Sequence, residues 1–144
     1  MSTSRNILLF LHIASIVVAF APASVHPLLG RQFKGDGPAA LRRFSELAAR
    51  NGQRVYAPAL ILAGLFGIGL VVESDYIDFD QTWVSLALLV WIAMNGIVHG
   101  VIVPSERRIA AGDEAAAKRL DLGGGLVTIL FLVMLYLMIW KPGL

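Results

Sequence analysis

The stretch that decides the fold is ILLFLHIASIVVAFAPASVHPLL, residues 7–29. Apart from two histidines and two serines, every side chain in it is apolar. The hydrocarbon layer of a bilayer is about 30 Å thick and is crossed by roughly 20 helical residues, so this run is long enough to span it. Because lipid offers no hydrogen-bond partners, the backbone must satisfy itself within the segment, which predicts an α-helix.

The rest of the chain has the same character. Of its 144 residues, 57% are hydrophobic and only 15% are charged, whereas soluble domains carry about 25% charge. The mean hydropathy is +0.72. There is no cysteine, which excludes disulfide and thiolate chemistry. Further apolar runs cover residues 55–72, 83–103 and 122–140. We therefore predict a single integral membrane domain over residues 1–144, an all-α bundle of four transmembrane helices.

The charges in the loops predict the orientation. The middle loop, residues 73–82, is acidic and has no basic residue, whereas the first and third loops are basic. By the positive-inside rule the basic loops are cytoplasmic, so both termini are extracytoplasmic. Only Arg5 and Lys141 oppose this pattern, one near each terminus. The basic loop residues are Arg31, Lys34, Arg42, Arg43, Arg50, Arg54, Arg107, Arg108, Lys118 and Arg119.

Both cytoplasmic loops have helical patterns. GDGPAALRRFSELAARNG, residues 35–52, predicts a short amphipathic helix with Asp36 as its N-cap and Asn51-Gly52 as its end. We expect it to lie on anionic headgroups, and a docking surface for a partner protein is the alternative. In the third loop, PSERRIAAGDEAAAKRLD, residues 104–121, predicts another short helix that continues into the last span.

The beginning of the chain also resembles a secretory signal. MSTSR, an apolar core and AFAPAS, residues 19–24, have the order of a signal peptide with a small-residue cleavage site. Cleavage there would leave the arginine-rich first loop outside, against the charge rule. We expect the segment to be a retained span of a multi-pass protein of the bacterial cytoplasmic membrane.

Small residues indicate where the helices pack. Ala59, Ala63 and Gly67 recur every four residues in the second span, which predicts that this span is the close-packed centre of the bundle. The lipid bilayer is the expected environment. Small-residue faces also allow a homo-oligomer or another membrane protein as partner, and we expect no nucleic acid.

The three histidines are the first candidate site. His12 and His26 are fourteen residues apart, about four helical turns, so they share one face roughly 21 Å apart. His26 lies three residues before the inner end of its span and His99 four before the inner end of the third span, which places them at similar depth. Two imidazoles at one depth suit a six-coordinate haem b with an electron-transfer role. The alternative is that all three are neutral imidazoles hydrogen-bonded to backbone carbonyls or to Asn95.

A second candidate site uses softer ligands. His12, Met134 and Met138 are all expected in the outer half of the membrane, and the two methionines are four residues apart on one helix face. Thioether and imidazole ligands suit Cu(I). Methionines at this spacing are also common packing residues.

The order of these features resembles a known group. LHIASIVVAFAPASVHPLLGRQ before a basic loop, a tryptophan opening the third span, PSERR closing it and YLMIWKPG at the end resemble uncharacterised bacterial four-span integral membrane proteins. These are distantly similar to CopD copper-resistance membrane proteins and HemJ-type protoporphyrinogen oxidases. The HemJ resemblance implies haem held by a histidine in an LH context, matching Leu11-His12, and by a lysine four residues after a tryptophan. That position, four after Trp83, is Ala87 here, so only His12 carries over.

These observations suggest three functions. The first is a small multi-pass inner-membrane protein with an accessory or structural, non-catalytic role. The second is a haem b-binding redox protein with His26 and His99 as axial ligands. The third is copper handling through His12 and the outer-half methionines. Hydrolytic catalysis is not expected, since no span contains an acid–base pair.

Overall fold

The computed structural model describes residues 2–143, and these form helices joined by short turns. Two of the connections are π-helical turns, at Gly52–Tyr56 and Val98–Ile102, and a 3₁₀ turn covers Glu114–Ala116. The α-helices are α1 (Thr3–Gly35), α2 (Pro38–Asn51), α3 (Ala57–Val72), α4 (Thr82–Ile97), α5 (Val103–Ala110) and α6 (Ala117–Trp140).

These segments join into four long helices, Thr3–Gly35, Pro38–Val72, Thr82–Ala110 and Glu114–Trp140. Each is long and apolar enough to cross a membrane. The prediction of an all-α protein with four helices long and apolar enough to span a membrane is therefore confirmed, and the helices indicate a multi-pass membrane protein. Every helix is longer than its apolar run; α1 is about 50 Å long at 1.5 Å per residue, well over the hydrocarbon thickness.

Proline explains where the two π-helical turns form. Pro58 and Pro104 each lie at the second residue after such a turn. Proline has no backbone N–H and its ring clashes with the carbonyl four residues earlier, at Arg54 and Gly100. The wider π-helical turn accommodates that carbonyl without ending the helix.

Two details of the predicted first-loop helix are wrong. Asp36 is the C-cap of α1, and α2 instead begins after Gly37, whose φ of 105° suits glycine. Asn51-Gly52 does not end the helix, because the backbone continues through the π-helical turn into α3. In the predicted third loop, residues 104–110 continue the third long helix, and the residues from Glu114 onward run directly into α6.

α3 is the close-packed centre, as its small residues predict. A Cβ on Gly64 would overlap the indole of Trp91 from α4, and a Cβ on Gly67 would lie 3.1 Å from Cε1 of His12. Leu8 of α1 contacts α3 in the same way at Gly69. The glycines therefore let two bulky side chains and a leucine lie directly on the α3 backbone.

α1 lies at the edge of the bundle. None of its residues is buried within the chain, and it packs mainly against α2 and α3. Its contact with α6 includes a stacked pair of rings, Phe20 and Phe131, whose centroids are 4.0 Å apart. A space remains between α1, α3, α4 and α6.

Candidate functional site

A cavity of about 450 Å³ occupies the space between the four long helices. Its size falls within the roughly 300–1,000 Å³ range of small-molecule sites. Its walls are apolar and aromatic except for His12 and two basic residues, Arg5 and Lys141. The walls also include Phe20, Ala87, Phe131, Met134 and Met138.

The cavity belongs to one half of the bundle. We call this half the terminal end, defined by residues 2–5, 73–83 and 141, which contact one another there. Along α1 the cavity runs from Arg5 at this end to Phe20. The opposite half is the basic end, defined by His26, Phe44 and Glu106.

The imidazole of His12 has a defined orientation in the cavity wall. Its Nδ1 lies 2.7 Å from the carbonyl oxygen of Ala63. A carbonyl only accepts hydrogen bonds, so Nδ1 carries the proton and donates. In the neutral imidazole Nε2 then keeps its lone pair, the arrangement in which a histidine accepts a hydrogen bond or binds a metal.

The structure brings His12 together with both methionines of the copper hypothesis. Met134 and Met138 line the same cavity as His12, and both also pack against the buried cluster of Ile77, Trp83, Val84, Ala87 and Leu137. Met94 adds a third thioether to the cavity wall. In residues 2–143 no three His, Asp or Glu side chains are grouped closely enough to hold a metal ion. A Cu(I) site would therefore depend on the thioethers.

His26 and His99 have different surroundings. The ring of His26 meets Phe44 and Tyr56 edge-on, with centroids 5.4 and 5.9 Å away. His99 is exposed, on the π-helical turn Val98–Ile102 that packs against α4, α5 and α6. The structure thus places His26 in an aromatic pocket and His99 on the bundle surface.

Glu106 is a functional candidate that the sequence patterns did not single out. The residue is 5% exposed, and its Oε1 is 3.9 Å from Nδ1 of His26, too far for a hydrogen bond. Its Oε2 has no hydrogen-bond partner among the described residues. The sequence carries one signal for this burial: Glu106 lies midway between Val103 and Ile109, both buried, at the three-residue spacing of one helix face.

The terminal end is held by polar contacts across α1 and the loop 73–81. The hydroxyls of Ser2 and Ser4 both donate to the carboxylate of Glu73, and the guanidinium of Arg5 donates to the hydroxyl of Tyr76. The serine hydrogen bonds lower the pKa of Glu73 from its ordinary value, because they stabilise the ionised form. Glu73 therefore keeps its negative charge at the terminal end.

A second pocket lies on the outside of the bundle, and most of the side chains that line it are charged. It covers about 570 Å³ along the exposed face of α2, between Arg42, Arg43, Glu46 and Arg50. All of its walls come from one helix. It is a surface groove between long polar side chains, in keeping with the amphipathic pattern of this segment.

Comparison with known proteins gives no relative from which a function could be transferred. No protein-family model matches the chain, and neither a curated protein nor a solved structure shows significant similarity to it. The candidate site therefore rests on the geometry of the bundle itself.

Proposed function

We propose that this chain is a non-catalytic accessory protein of the bacterial cytoplasmic membrane that holds a small molecule from the bilayer between its helices. The observation that carries the proposal is the cavity of about 450 Å³ that all four long helices line. Apolar walls suit a molecule that partitions into lipid, because burial of apolar surface supplies the affinity. In the orientation that the loop charges favour, both termini and this cavity face the extracytoplasmic side.

A matched pair of alanine substitutions tests this proposal. Ala87 lines the cavity and is 6% exposed, whereas Ala93 lies on the exposed face of the same helix, α4. Leucine at position 87 fills part of the cavity, and leucine at position 93 faces outward. Neither change alters charge or breaks the helix.

The measurement is the unfolding temperature of delipidated protein in detergent, before and after addition of a bacterial lipid extract. A ligand that binds the folded state alone raises this temperature. We expect the lipid extract to raise the unfolding temperature of the wild type and of Ala93→Leu. It should not raise the unfolding temperature of Ala87→Leu. Equal responses from all three proteins would contradict the proposal, whatever their starting temperatures.

Cu(I) binding is a second candidate function. It is favoured by the observation that His12 leaves Nε2 free in the same cavity that Met134 and Met138 line. Titration with Cu(I) under reducing conditions separates the two candidates. Copper handling requires stoichiometric binding that His12→Leu abolishes and His99→Leu preserves, whereas an apolar ligand tolerates leucine at position 12.

A further inference from the structure

The two basic residues that oppose the positive-inside pattern lie at the same place. Arg5 precedes the first apolar run and Lys141 comes after the last one, yet both line the cavity at the terminal end, which we call its mouth. They are the only lysine or arginine residues at the terminal end. Topology gives no reason for positive charge there, so the cavity is the feature that they share.

Aromatic rings hold both cations at the mouth. The guanidinium carbon of Arg5 is 4.7 Å from the centroid of the Tyr76 ring, and Nζ of Lys141 is 5.4 Å from the centroid of a Trp83 ring. Both distances lie within the roughly 6 Å range of cation–π contacts. An aromatic ring carries no net charge, so these contacts do not neutralise either cation.

Among residues 2–143, no carboxylate forms an ion pair with Arg5 or Lys141. The Arg108–Asp113 ion pair and the longer His26–Glu106 contact both lie at the basic end. Glu73 attracts Arg5 at longer range, but its carboxylate accepts hydrogen bonds from two serines. An anion at the mouth would gain charge-assisted hydrogen bonds from Arg5 and Lys141.

The cavity is long and narrow, and this shape limits the width of the apolar part of a ligand. The anionic group of such a ligand would lie at the mouth. From Arg5 to Phe20 the cavity extends over fifteen residues of α1, about 22 Å at 1.5 Å per residue. A volume of about 450 Å³ spread over that length is narrow. The stacked rings of Phe20 and Phe131 lie at its far end. Such a space suits one extended alkyl chain better than a broad ring system.

We propose that the cavity binds a single-chain amphiphilic anion, whose carboxylate lies between Arg5 and Lys141 and whose alkyl chain runs past His12 toward Phe20. This inference rests on the proposed function, because it names the class of molecule that the cavity holds. A fatty acid has this chemistry.

Tryptophan fluorescence tests the inference directly, because Trp83 and Trp91 line the cavity. The exposed Trp140 is replaced by phenylalanine in every protein to remove its signal. The probes are three amphiphiles with the same mid-chain-brominated alkyl chain, ending in a carboxylate, an alcohol or a trimethylammonium group. Bromine quenches only tryptophans close to it, so quenching during titration into nanodiscs reports entry of the chain.

The carboxylate is expected to bind at least about tenfold more tightly than the alcohol, and the ammonium more weakly still. Arg5→Gln with Lys141→Gln should remove this preference, while Arg5→Lys with Lys141→Arg should keep it. Lys118→Gln with Arg119→Gln removes the same charge at the basic end and should change nothing.

The outcomes distinguish a failure of this inference from a failure of the proposed function on which it rests. If all three probes quench equally, the inference is overturned and a cavity for neutral lipid molecules remains. If the carboxylate preference survives in the double glutamine variant, Arg5 and Lys141 do not cause it and the inference is overturned as well. If no probe quenches the wild type, both the inference and the proposed function are overturned. Circular dichroism of each variant confirms that its helices are intact.

Discussion

The imidazole of His12 is held by the backbone of Ala63, with Nδ1 2.7 Å from the carbonyl oxygen. This contact crosses from α1 to α3 at the wall of the cavity and is made possible by Gly67, one turn further along α3, where a side chain would crowd the ring. It fixes the tautomer of His12 and directs Nε2 away from the hydrogen-bonded carbonyl. The same contact explains why a histidine is tolerated in an otherwise apolar wall. The N–H group of His12 has a hydrogen-bond acceptor there, so its burial costs little.

Substitution of Gly64 tests the packing of α3. A Cβ at this position overlaps the indole of Trp91, whose Nε1 donates to the carbonyl of Leu60 at 2.8 Å. We expect Gly64→Ala to lower the free energy of unfolding by about 1–3 kcal/mol through overpacking. Unfolding in detergent, monitored by circular dichroism, measures this change.

The control for that substitution is Gly125→Ala in α6, where an added Cβ meets no atom within 4 Å. Alanine is the better helix former by roughly 1 kcal/mol, so this variant should be unchanged or slightly more stable. Equal destabilisation of both variants would show that the cost comes from the backbone and not from contact with Trp91.

Glu106 gives a prediction about the basic end. A buried carboxyl with one oxygen lacking a hydrogen-bond partner is costly to ionise. Glu106→Gln keeps the size of the side chain and removes the charge, so we expect it to raise the free energy of unfolding by about 1 kcal/mol at a pH of about 8. The exposed Glu114→Gln should stay within about 0.5 kcal/mol of the wild type. A marked loss of stability in Glu106→Gln alone would mean that the carboxylate has a partner that compensates its burial.

The serine contacts of Glu73 predict a pH effect at the terminal end. Because the hydroxyls of Ser2 and Ser4 stabilise the carboxylate, its pKa is lower in the folded protein than in the unfolded chain. The resulting stability is present above the unfolded pKa and is lost as the pH falls through the folded pKa. Ser2→Ala with Ser4→Ala should raise the pKa of Glu73, as measured by NMR titration of its side-chain carboxyl carbon. Thr3→Ala, between the two serines, should leave that pKa where it was.

Visible absorption tests the haem hypothesis. The structure gives His26 and His99 different surroundings, so we expect no Soret band that depends on this pair after haem-supplemented expression. Spectra of the wild type, His26→Ala and His99→Ala make the comparison. A band that is present in the wild type and lost in both variants would establish bis-histidine ligation and contradict the placement of His99.

Apolar periodicity and length were sufficient to predict the four long helices. The small residues of the second span also predicted its central position, since close approach in lipid requires them. The helix ends were less predictable: Asn51-Gly52 is typical of a helix end, but Pro58 favours a widened turn through which the helix continues. The sequence alone does not show whether such a proline ends the helix or widens one of its turns.

The candidate site could be predicted only in part. Helical spacing and depth predicted that His12, Met134 and Met138 lie in one half of the bundle, and all three line the same cavity. The pairing of His26 with His99 used depth alone, and depth does not determine which way a side chain faces around the helix. Arg5 and Lys141 were visible as exceptions to the charge rule, but their position at one cavity mouth depends on how α1 and α6 pack.

Whether the four helices enclose a molecule taken from the bilayer is tested most directly by native mass spectrometry of the protein released from nanodiscs made with bacterial lipid. We expect the wild type and Ala93→Leu to retain one bound molecule of a few hundred daltons at activation energies that strip surface lipid. Ala87→Leu should lose that molecule, because leucine fills part of its space. A wild-type spectrum with only the bare polypeptide mass, or identical retention by Ala87→Leu, would contradict enclosure of a bilayer molecule.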